Sequence, residues 1–140
     1  MQVLVPISSY SNFFSKDIYV FPKPLIEVDH IPMIELVSKY LYAHLRNASF
    51  LFVISTDIEN AYSLSALIKE CIPTARFAFK KNEAQGALCT SLLASDLLNN
   101  GEPLLIVNSD EIIDFDYIQA INTFLLDKSS AASILLHKVL

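Results

Sequence analysis

Short apolar runs at residues 2–7, 49–55, 75–79 and 103–108 alternate with segments of helical period, and this alternation limits what the chain can fold into. Strands separated by helices must pair mainly in parallel, because a crossover helix returns the chain to the same end of the sheet. Only 2 glycines and 6 prolines interrupt the 140 residues, while 53% are hydrophobic and mean hydropathy is +0.42. Such strands are covered on both faces, or part of the apolar surface is buried against a partner subunit. No linker, repeat or low-complexity tract divides the chain, so residues 1–140 read as one domain with a core of its own.

The helices are legible from periodicity and stop signals. Ile34, Val37, Leu41 and Leu45 recur at helical spacing behind Pro32, which a first turn tolerates. Leu64, Leu67, Ile68 and Cys71 mark a second helix stopped by Pro73. A third is expected over 84–98, ended by Asn99-Asn100-Gly101, and a fourth is marked by Ile118, Ile121 and Leu125 before a last strand beginning at 132. The expected architecture is α/β, a Rossmann-like three-layer αβα sandwich around a mainly parallel sheet. Ligands bind such sheets at the carboxyl ends of the strands, which places candidate sites in segments 8–24 and 108–114.

Composition excludes several functions. A net charge of −5 and a pI near 5.0 leave no basic patch for nucleic acid, the one adjacent basic pair being Lys80-Lys81. No apolar run approaches the ~20 residues of a membrane span, and Pro6 ends the first run too early for a signal peptide, so a cytoplasmic location is expected. Cys71 and Cys89 share no metal-ligand spacing and read as buried, reduced thiols. His30, His44 and His137 make no zinc motif, and no Gly-x-Ser-x-Gly elbow supports a serine hydrolase.

Three segments carry chemistry. Val20-Phe21-Pro22-Lys23-Pro24-Leu25-Ile26-Glu27-Val28 holds one lysine between two prolines, a stiff mount for a cation that would meet a phosphate. Gln85-Gly86-Ala87 opens a helix with one of the 2 glycines, where backbone can approach a ligand closely. Asn108-Ser109-Asp110 ends a strand with a hard oxygen ligand. Each has a plainer reading, as a solvated lysine, a permissive turn and an Asx turn or helix cap.

Taken together, these segments resemble the N-terminal half of the sugar-phosphate nucleotidyltransferases, members of the nucleotide-diphospho-sugar transferase superfamily with a GT-A-like fold. The resemblance implies that Lys23 is catalytic, contacting phosphate and stabilising developing charge, and that Asp110 ligates Mg²⁺ brought with a nucleotide. It further implies nucleotide contacts from Pro6, Ser8, Ser9, Lys16, Gln85, Gly86, Ala87, Asn108 and Ser109, with a nucleoside triphosphate or nucleotide sugar as ligand. Members of the family follow the first strand with a loop of the form Gly-x-Gly-x-Arg-Phe. Here residues 8–16 contain neither glycine nor arginine, and Lys16 replaces the arginine only as a point charge.

In the family the fold continues into a sugar-binding half with a second metal-binding aspartate, so this chain is short relative to it. The resemblance therefore predicts a domain related to nucleotide-sugar synthesis for surface or capsular polysaccharide, catalytically impaired as an isolated chain. It also predicts a homodimer that covers the exposed sheet edge. The alternatives are a metal-dependent glycosyltransferase of the same superfamily and a non-catalytic binding or assembly module.

Overall fold

The computed structural model describes residues 1–7, 20–81, 86–113 and 116–133, with 86–88 described by their backbone. The chain opens with strand β1 (Gln2–Pro6). A two-residue hairpin follows, β2 (Glu27–Val28) and β3 (Ile31–Pro32), and leads into helix α1 (Met33–His44). Next come β4 (Ser49–Ser55), α2 (Thr56–Tyr62), α3 (Leu64–Cys71) and β5 (Arg76–Lys80). The remaining elements are α4 (Gly86–Leu92), β6 (Leu104–Ile106) and α5 (Tyr117–Leu126).

The main sheet has the order β5-β4-β1-β6 with every pair parallel. Side-chain parity divides the core into two layers. Val3, Val5, Ile7, Phe50, Phe52 and Ile54 point to one face, where Ile34, Val37 and Leu41 of α1 and Leu64 and Ile68 of α3 close over them. Leu4, Leu51 and Val53 point to the other, against Ala94 just beyond α4. Both faces of β1 and β4 are covered, which is why these strands read as unbroken apolar runs.

The second face is thinly covered toward β6. Leu104 and Ile106 pair in register with Gln2 and Leu4 yet remain 42% and 52% exposed, and Leu92 and Leu93 after the α4 core contacts are similarly open. Among the described residues the far edge of β6 has no strand partner. Part of the apolar surface left exposed lies here.

Several local expectations need correction. The helix expected over 84–98 stops at Leu92 and gives way to a 3₁₀ turn at Ser95–Leu97, because Ser95 and Asp96 favour local turns over helix continuation. Thr56–Tyr62 forms a helix that periodicity does not reveal, since Ile58 is its one buried residue. It ends at Ser63 in the left-handed region, φ 51°, and Glu59 then caps α3 by accepting from the Ser65 amide at 2.9 Å and its hydroxyl at 2.6 Å. The β2–β3 turn, with Asp29 and His30 both at positive φ, also escapes periodicity. Residues 132 and 133 have no strand pairing, and the rest of the last expected strand lies outside the described residues. Cys71 is half-buried and its thiol is pushed up by burial and then by Glu35, but Cys89 is exposed. The sheet-facing positions around it are Thr90, Ser91 and Ala94, which turns Cys89 outward.

Gln2 couples the two edges of the core. Buried in β1, it donates to the Asn99 carbonyl and accepts from the Asn99 amide, both at 2.9 Å, and so holds the turn that feeds β6. Gln2→Ala is expected to destabilise the fold by roughly 2 kcal/mol, because both backbone groups of Asn99 lose their partner. Urea unfolding measures this, and a loss below about 0.5 kcal/mol would show the turn to be held by other contacts.

Candidate functional site

In the sheet, β1 lies between β4, which the chain visits next, and β6, which it reaches last. Strand order reverses at that point. In an open α/β sheet such a reversal, at the carboxyl edge, is the usual position of the ligand crevice.

The connection leaving β1 is built stiffly. Pro22 and Pro24 are both buried, and between them the backbone tightens into a 3₁₀ turn, Lys23–Leu25, closed by the Leu25 amide on the Pro22 carbonyl at 2.8 Å. The β2–β3 hairpin then returns the chain, with the Met33 amide bonded to the Ile26 carbonyl at 2.9 Å, so the lysine turn is tied to the start of α1. Phe21, just before the turn, packs edge-on against Tyr62 at 6.1 Å between ring centroids.

The second connection is anchored to the same helix. After β6, the Asn108 side-chain amide donates to Glu111 at 2.9 Å, Ser109 is buried, and the Tyr40 hydroxyl of α1 donates to the Ile113 carbonyl at 2.7 Å. Tyr40 also meets Tyr117 edge-on at 6.2 Å, which docks α5 on α1. Asp116 caps α5 by accepting from the Gln119 amide at 2.9 Å.

These two mounts bring Lys23 and Asp110 into an ion pair. The residues lie 87 positions apart in sequence, and their side chains are only 23% and 26% exposed. One carboxylate and one ammonium, both largely buried, therefore meet at the topological switch point. Asp110 supplies a hard anionic oxygen at a position that already accommodates a cation, so it fits a divalent ion as a single protein ligand. Among the described residues no three His, Cys, Asp or Glu side chains gather around a common point. A metal there would take its other ligands from water and phosphate, as Mg²⁺ commonly does.

The remaining candidates divide. Pro6 ends β1 at the carboxyl edge beside Val53, and Gly86 and Ala87 open α4 as expected. Asn108 and Ser109 lie in the turn that carries Asp110. Ser8, Ser9, Lys16 and Gln85 lie outside the described residues, as does His137. A residue that sequence reasoning passed over is Lys80, treated as half of a basic pair. It is 7% exposed, with its ammonium donating to Thr90 Oγ1 at 3.1 Å and its carbonyl accepting from Thr56 Oγ1 at 3.0 Å. Strand parity was the available signal, since Lys80 follows Ala78 on the face turned toward α4.

No family model matches the sequence, and no curated protein matches it. Among solved structures, the nucleoside-diphosphate-sugar pyrophosphorylase from Vibrio cholerae RC9 matches with a TM-score of 0.63 and 21% sequence identity, over 85% of this chain and 53% of that one. The fold is that of half a nucleotide-sugar pyrophosphorylase. The four parallel strands and flanking helices of this pyrophosphorylase-like half are the α/β architecture expected from the alternation of runs. The chain spans about half the length of the pyrophosphorylase it matches. Among the described residues, no helix is long and apolar enough to cross a membrane.

Proposed function

We propose that the pyrophosphorylase-like chain binds a nucleoside triphosphate or nucleotide sugar with Mg²⁺ in the crevice between β1 and β6, as a nucleotidyltransferase-like domain of nucleotide-sugar metabolism. The observation that carries this reading is the ion pair of Lys23 and Asp110 at the strand-order reversal. Phosphoryl and nucleotidyl chemistry needs a fixed cation for phosphate oxygens and a carboxylate for the metal that neutralises them. When bound, Mg²⁺ would supply that neutralisation, held by Asp110. Lys23 would contact the phosphates, and the backbone at Gly86 would lie beside the nucleobase. Synthesis of activated sugars for surface polysaccharide, in the cytoplasm, is the setting in which this chemistry belongs.

Turnover by this chain alone is expected to be below detection. Residues 8–16 lack the glycines that would turn successive amides toward a triphosphate, and they lack an arginine. Losing one preorganised electrostatic element costs ~10²- to 10³-fold in rate, and here several fall on one charge-stabilising apparatus. This same departure supports the second reading, a binding module without catalysis.

The test combines two measurements. Pyrophosphate release is followed with each nucleoside triphosphate, a panel of sugar 1-phosphates and Mg²⁺, alongside thermal unfolding with and without nucleotide. Binding at ~100 times the dissociation constant adds about 2.7 kcal/mol of stability, and Lys23→Ala is expected to abolish that shift. Absence of any nucleotide-dependent shift, or a shift unchanged in Lys23→Ala, would sink the site. Robust turnover would remove the non-catalytic reading.

The chain is also expected to form a twofold dimer through the surface that includes Leu104, Ile106 and the edge of β6 that has no strand partner among the described residues, because exposed apolar side chains lie there. Light scattering is expected to give twice the 15.7 kDa of one chain, and Ile106→Lys to shift the mass toward the monomer. A monodisperse monomer at high concentration would refute it.

A further inference from the structure

Lys23 and Asp110 form an ion pair of opposite charges, and the pair bears on which ligands the site admits. We propose that the ion pair makes the site selective for a metal-charged polyphosphate over either of its components alone, an inference that rests on the nucleotide-binding reading above. A bare divalent cation arriving at Asp110 must displace the Lys23 ammonium and then remain within a few ångströms of it, two like charges in a half-buried setting. A bare polyphosphate arriving at Lys23 must displace the Asp110 carboxylate and face its negative charge in the same way. Both mounts resist retreat. Pro22 and Pro24 are buried on either side of the lysine, and the segment after the aspartate is bonded through Ile113 to Tyr40 of α1.

Metal and polyphosphate arriving together meet no such opposition. The carboxylate exchanges an ammonium for the cation, the ammonium exchanges a carboxylate for phosphate, and no charge is left without an opposite neighbour. The pair thus acts as a gate with two keys. Its energetic signature is positive coupling between metal and polyphosphate, and by linkage each ligand must raise the affinity of the other by the same factor.

The experiment uses the full chain and two near-isosteric variants, Lys23→Met and Asp110→Asn. The probes are Mn²⁺ alone, read by electron paramagnetic resonance, and inorganic tripolyphosphate, read by titration calorimetry in EDTA and again with Mn²⁺. Lys23→Met is expected to bind free Mn²⁺ about tenfold more tightly than the parent, and Asp110→Asn to bind metal-free tripolyphosphate about tenfold more tightly. Both are expected to bind the Mn²⁺–tripolyphosphate complex more weakly than the parent. These opposite signs separate the gate from a plain loss of site residues, which would weaken every ligand. Failure of either variant to gain its single component would overturn the gate, while nucleotide binding by the parent with Mn²⁺ would leave the functional reading standing. A parent that binds no nucleoside triphosphate with Mn²⁺ would overturn both. Lys23→Gln carries the same expectation and replaces the methionine variant where circular dichroism shows that it has not folded.

Discussion

Asp110→Asn is expected to weaken metal-dependent nucleotide binding by ~100-fold or more, equivalent to about 2.7 kcal/mol, while the fold survives. The size follows from charge. Asp110 is a carboxylate brought against Lys23 at the strand-order reversal, and an amide oxygen in its place offers a divalent ion a dipole instead of a full negative charge. The fold survives because a pair with each side chain about a quarter exposed contributes little net stability, about 1 kcal/mol or less after desolvation and screening. Titration calorimetry with nucleoside triphosphate and Mg²⁺ measures the first effect, and thermal unfolding the second. Equal affinity in variant and parent would remove Asp110 from the site. A large drop in melting temperature would instead recast the pair as structural.

Phe52→Ala is expected to cost about 3–5 kcal/mol of folding stability, a substantial part of the ~5–15 kcal/mol that holds a domain of this kind together. Phe52 is fully buried at the middle of β4, with its ring between Phe50 at 6.5 Å and Phe77 at 6.0 Å. Truncation removes both stacked contacts and opens a cavity between the sheet and its α1–α3 layer, where neighbouring side chains already fill the space. Phe79→Ala provides the contrast. That ring continues the same row at 6.3 Å from Phe77 but is 52% exposed, so its loss should cost below about 1 kcal/mol. Urea unfolding of both variants checks the gradient, and similar values for the two would contradict a core centred on β4.

The consequence for function is a division of labour between core and edge. The apolar layers on β1 and β4 keep the strand ends in register, and α1 holds both connections to the crevice, through the β2–β3 hairpin on one side and Tyr40 on the other. A change at Tyr40 would thus act on Asp110 without touching it.

Much of this was legible from residue order alone, where the physics is local. The β1 and β4 runs and the helical spacing of Ile34, Val37 and Leu41 specify which faces must be buried. The prolines around Lys23 specify a stiff turn, and right-handed crossovers leave a parallel sheet as the natural outcome. Helix α2 and the early end of α4 were not legible. Ile58 alone gives no period, and a helix end at Ser95–Asp96 depends on competing turn bonds of small energy. Lys80 looked like surface charge because hydropathy cannot say that Thr90 lies opposite it. The order β5-β4-β1-β6, the reversal within it and the meeting of Lys23 with Asp110 were decided only in three dimensions. An ion pair across 87 residues depends on how two loops are mounted on a shared helix, and no local pattern encodes that distance.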